Sequence, residues 1–132
     1  ALQIYQCALA LEVKDYVGVH RIRLREEELL GGFLAWLRAR HPADVFVLGD
    51  PDPARRFPIV SFNVVGPWPL HPRFVTRLLS DVFGLQTRAG CSCAGPHGVD
   101  LLGLSPEQER EVFSWIFVDP GLMSLKPGWC RL

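Results

Sequence analysis

Apolar and polar positions change their period several times along the chain. Residues 2–16, "LQIYQCALALEVKDY", are rich in Leu, Ala, Gln and Glu and hold no Gly or Pro, which predicts a helix ending at Gly18. Cys7, inside this apolar pattern, reads as a small buried hydrophobe. From Val19 to Arg40 a second helix is predicted, with Leu30, Phe33, Leu34 and Leu37 on one face. The charges Arg25 to Glu28 precede that face and Arg38 and Arg40 follow it, an order that suits the helix dipole. Gly31-Gly32 inside it costs about 2 kcal/mol relative to alanine, so the pair is expected to admit another backbone. His41-Pro42 then stops the helix.

Short strands follow. "DVFVLG" ends at Gly49, "DPDPARRFP" reads as a loop, and Ile59 to Val65 alternates as a strand with one buried face. Residues 72–83 form a helical pattern, with Phe74, Val75, Leu78, Leu79 and Val82 at helical spacing, Pro72 at the first position and Gly84 as the stop. "LQTRA" is a third strand. Ser105, Pro106 and Gln108 make a capping box for the helix of "SPEQEREVFSWIF". Pro127-Gly128 turns the chain into a last strand, "WCRL". Helices mixed with short strands predict an α+β fold: a small, mostly antiparallel sheet with helices on one face.

Composition narrows the partners. The chain has 132 residues, enough for one domain with a hydrophobic core, and its 14 Lys+Arg balance 14 Asp+Glu. A neutral chain has no electrostatic reason to seek nucleic acid or an anionic membrane. No apolar run reaches the roughly 20 residues of a membrane helix, and the first residues lack the basic region of a signal peptide. Four cysteines in so apolar a chain fit a reduced, cytoplasmic or similar intracellular setting better than a disulfide scaffold. The first residue is Ala and the last stretch is the apolar "GWCRL", so a piece of a longer protein is expected.

The chemistry concentrates in "TRAGCSCAGPHG", Thr87 to Gly98. Cys91, Cys93 and His97, with Cys130 as a fourth, form one candidate metal set, although structural zinc sites space their cysteines two to four residues apart. A redox pair is a second reading, but such pairs are commonly C-x-x-C. Buried small hydrophobes in a glycine-rich turn are a third. Gly90, Gly95, Pro96 and Gly98 mark an irregular loop held by a strand, where reactive groups tend to sit. Arg88, five residues before Cys93, is a cation that favours a thiolate and also a planar fork for a carboxylate.

Together, "PIVSFNV", "LHPRFVTRLLSDVF", "FGLQTRAGCSCAGP" and "LKPGWCRL" resemble the C-terminal part of class V aminotransferase-fold enzymes, the pyridoxal-phosphate family that includes cysteine desulfurases. Arg88, Gly90 and Cys93 match that family's Arg-x-Gly-x-x-Cys loop, and Arg131 matches a later strand arginine. The resemblance covers most of the chain, the "VGVHRIRLREEELL" helix included. It implies that residues 1–132 are a single C-terminal small domain, as in fold-type I pyridoxal-phosphate enzymes, separated from its large cofactor-binding domain.

It also implies roles. Cys93 is the catalytic cysteine, which in desulfurases attacks the sulfur of a cysteine–pyridoxal adduct and becomes a persulfide. Arg131 binds the α-carboxylate of an amino-acid-like substrate, and Arg88 is a second carboxylate contact or a loop anchor. Cys91 and His97 are accessory candidates. Where the family continues "AGPYGH", this chain reads "AGPHGVD", with His97 in the aromatic position and Val99 in the histidine position. Such enzymes usually build their sites across a homodimer interface. Lys14 and Lys126 are the only lysines and neither sits in a Schiff-base motif, so no pyridoxal phosphate is expected on this chain alone. The alternative function is a small cysteine/histidine metal-binding or interaction module.

Overall fold

The computed structural model describes residues 2–91 and 95–132. Among them are five α-helices and a four-stranded antiparallel sheet, an α+β fold. Helix α1 (Leu2–Val17) is separated from α2 (Val19–Arg40) by Gly18, whose φ of 88° lies where glycine alone is at ease. Strands β1 (Val45–Leu48) and β2 (Ser61–Val64) form a hairpin-like pair around a loop with a 3₁₀ turn at Pro53–Arg55. Helix α3 (Pro72–Phe83) leads to β3 (Arg88–Gly90). Helices α4 (Gly95–Leu102) and α5 (Pro106–Val118), and a 3₁₀ segment Pro120–Leu125, precede β4 (Trp129–Arg131).

Local signals set several helix ends. His71 caps α3 through Nδ1, which accepts from the Arg73 N–H at 3.3 Å, and Gly84 closes it at φ 67°. Ser105 and Gln108 make the reciprocal capping box of α5, with Pro106 in its first turn. The charges Arg25 to Glu28 lie within α2, and its first turn holds no acid. They act instead as ion pairs along one turn, Arg23–Glu27 and Arg25–Glu28, both at 2.7 Å and exposed.

The sheet order is β1-β2-β4-β3, so the last strand lies between two strands joined by α3. Val47, Phe62, Cys130 and Ala89 stand opposite one another along the ladder and share one face. That face is covered by helices. Leu30 and Leu34 of α2 pack with Val60, Val47 and Phe62, and Thr76 of α3 meets the Cys130 sulfur at 3.5 Å. Leu34 and Cys130 are 1% exposed, the best-buried side chains described. Leu37, predicted on this face, is buried too.

Elsewhere apolar surface stays open. The chain exposes 9912 Å², against about 7,000 Å² for a compact globular chain of its 14.8 kDa. Helix α1 buries none of its residues, so Cys7, expected to be buried, is exposed. Of the α3 positions predicted as one apolar face, only Val75 is buried; Phe74, Leu78 and Val82 are exposed. Their arc on the helix is too wide for one sheet face to cover. Gly31-Gly32 does not admit a second backbone: a Cβ on Gly31 would meet only the Pro53 ring at 3.8 Å, and one on Gly32 nothing within 4 Å.

Candidate functional site

The close backbone approach lies at the junction of β3 and β4. A Cβ on Gly128 would stand 2.6 Å from the Gly90 carbonyl carbon and 2.7 Å from its Cα, so only glycine fits there. Gly90 itself has φ 117°, outside the range of ordinary side chains. Next to it Trp129, 4% exposed, is wedged against α4: a Cβ on Gly98 would lie 3.3 Å from the indole and 3.6 Å from the Cys91 Cβ. These contacts hold the start of the cysteine stretch against the sheet end.

Gly95 to Gly98, expected to belong to an irregular loop, instead open α4. The two glycines and the proline hid the helix, because the demand for Gly98 comes from the distant Trp129. Cys91 is a half-buried free thiol at the wall of an apolar cleft with Val99, Leu102, Phe113 and Lys126. His97 is exposed on α4. Cys93, the expected catalytic cysteine, lies outside the described residues.

The two arginines singled out in the sequence meet. Arg88 of β3 is the direct cross-strand partner of Arg131 of β4, and Ser61 of β2 stands opposite Arg131 on its other side. Directly opposed residues carry their Cβ atoms about 4.5–5.5 Å apart and on one face. By strand alternation that face is the one α2 and α3 leave uncovered. Arg88 is exposed and Arg131 half-buried, and neither has an acidic partner among the described residues. Like charges borne at directly opposed positions of one face repel each other. A guanidinium can give a carboxylate two parallel N–H···O bonds. Ser61 carried no signal in the sequence, because the register of β2 against β4 joins residues 70 positions apart.

The remaining candidates divide between the two faces. The Cys130 thiol is on the helix-covered face beside Thr76, whereas Cys91 is packed beside Trp129, which alternation turns to the opposite face. Among the described residues no group of three or more His, Cys, Asp or Glu is placed to hold a metal. Lys14 lies on exposed α1 beside Asp15 at 3.2 Å, and the Lys126 Nζ lies 5.6 Å from the Phe113 ring centroid. Among the described residues, the cleft that Lys126 lines holds no hydroxyl or guanidinium. No described helix is long and apolar enough to cross a membrane. Comparison with family models, with curated proteins and with solved structures finds no match for this chain.

Proposed function

We propose that this chain is the substrate-carboxylate and cysteine-loop side of a pyridoxal-phosphate-dependent enzyme of the class V aminotransferase, cysteine desulfurase-like kind. The observation that carries the reading is the cross-strand pair Arg88–Arg131 on the sheet face opposite α2 and α3, with β3 running directly into Cys91. The arginines bind and orient the carboxylate of an amino-acid-like substrate, and Cys93 is the nucleophile of the parent enzyme. The cofactor supplies electron withdrawal from the bound amino acid and belongs to a separate domain, a reading supported by the absence of a Schiff-base motif around Lys14 and Lys126. The parent is a homodimer of a reducing, cytoplasmic compartment, and this chain alone is inactive. The open apolar surface supports burial against such a domain.

The test is a titration of the chain with L-cysteine and with L-cysteinamide, which keeps the thiol and amine and lacks the carboxylate. L-Cysteine is expected to bind and the amide is not, and Arg131→Ala is expected to weaken L-cysteine about tenfold or more, the loss of a charge-assisted contact. Equal binding of the two ligands would sink the reading.

The same open surface supports a second reading, an interaction module that docks on another folded protein. Stoichiometric zinc after chelator-free purification, lost in Cys93→Ser, would favour the metal-binding form of that alternative.

A further inference from the structure

We propose that the groove between α3 and the segment entering β3 binds a small tetrahedral oxyanion, a phosphate or a phosphate monoester. It lies on the helix-covered side of the sheet, away from Arg88 and Arg131, and does not depend on their role.

The groove is open to solvent, has a volume of about 380 Å³, and is lined by Arg73, Thr76, Arg77 and Ser80 of α3 and by Gln86 and Thr87 of the chain entering β3. Residues 73, 77 and 80 follow the i, i+4, i+7 spacing that puts three side chains on one flank of a helix. Thr76 faces the sheet, where its hydroxyl meets Cys130. Every lining side chain is polar, and four of the six belong to a helix whose other flank is apolar.

Two features point to a missing anion. The first is charge. Arg77 is held by Asp81 at 2.6 Å, which occupies the acid on this flank, while Arg73 has no acidic partner among the described residues. Arg73 also sits in the first turn of α3, at the positive end of the helix dipole, and that turn contains no acid to balance it. The second is a polar atom without a partner. The Thr87 hydroxyl oxygen is shielded from solvent yet makes no hydrogen bond, a state that costs free energy and that a buried hydroxyl rarely keeps. Thr87 and Arg73 both line the groove, so this unpartnered hydroxyl belongs to the same wall as the unpaired guanidinium.

The chemistry selects among anions. A planar carboxylate is satisfied by one guanidinium fork. A tetrahedral oxyanion offers three or four oxygens in different directions and can take the Arg73 fork together with the Ser80 hydroxyl, the Gln86 amide and the Thr87 hydroxyl. The groove opens to solvent, so it leaves room for the organic part of a monoester.

The experiment follows the backbone amide resonances of the chain during titration with inorganic phosphate, with phenyl phosphate, and with propionate and chloride at matched ionic strength. Phosphate is expected to shift the Thr76, Ser80 and Thr87 amides saturably, and chloride is not. Arg73→Ala is expected to weaken phosphate about tenfold and Thr87→Val about threefold, with the resonances elsewhere unmoved. Tighter phenyl phosphate than inorganic phosphate assigns the groove to monoesters, and equal or weaker binding to the free ion. Shifts that never saturate, that chloride or propionate reproduces, or that survive Arg73→Ala overturn the proposal. Loss of the propionate response in Arg131→Ala, with phosphate binding intact, reports separately on the sheet face.

Discussion

The two faces of the sheet solve opposite problems. On one face Val47, Phe62 and Cys130 meet α2 and α3, and Leu30, Leu34 and Val60 close a dry cluster. Each large side chain buried there contributes about 1.5–3 kcal/mol by leaving water. On the other face a row of Ser61, Arg131 and Arg88 stands without an acidic neighbour among the described residues. Like charges set directly opposite one another work against folding by up to about 1 kcal/mol. The helix side thus holds the larger dry cluster, whereas the other side buries Trp129 against α4 and carries the opposed arginines.

That contrast can be broken most severely at Leu34. Leu34→Ala removes the best-buried large aliphatic side chain and is expected to lower unfolding free energy by about 2–5 kcal/mol, read from urea denaturation midpoints. Gly128→Ala attacks the point where the arginine-bearing strands converge. Its Cβ collides with Gly90 backbone, which has little freedom to yield, so a loss of about 1–3 kcal/mol or more is expected in the same assay. Arg131→Lys tests the fork rather than the charge. Carboxylate affinity in an L-cysteine titration should fall about tenfold while the denaturation midpoint stays in place; unchanged affinity would reduce the arginine to a point charge. The smallest effect is the most pointed. Arg88→Thr is expected to raise stability by about 0.2–1 kcal/mol through relief of cross-strand repulsion, while weakening carboxylate binding. A destabilised variant would mean that Arg88 is held by the fold and not by a ligand.

Much of the element order was legible because helix ends carry local chemistry. Gly18, Pro72 with Gly84, and Ser105-Pro106-Gln108 act within a few residues of themselves, and each marks an observed boundary. The stripe Leu30, Leu34, Leu37 was legible for the same reason, since helical periodicity places it on one face. Glycines were misread where their cause was distant. Gly31-Gly32 looks like a close approach and meets no backbone, while Gly90 and Gly128, 38 positions apart, press together. Gly98 looks like loop and is a helical residue shaped to an indole. Cys7 looked buried because its neighbours are apolar, but no described element covers α1.

By itself the sequence determined the α+β class, the helix ends and the residues worth suspecting, because propensity, capping and periodicity are short-range. The resemblance to the class V enzymes named Arg88 and Arg131 but said nothing of where they stand relative to each other. Only the tertiary structure decided that they are neighbours. That follows from β4 entering between β2 and β3, a pairing fixed by backbone hydrogen bonds and by burial of Cys130 and Trp129 across long stretches of chain. Register is a property of two strands at once, and no local pattern in either one contains it.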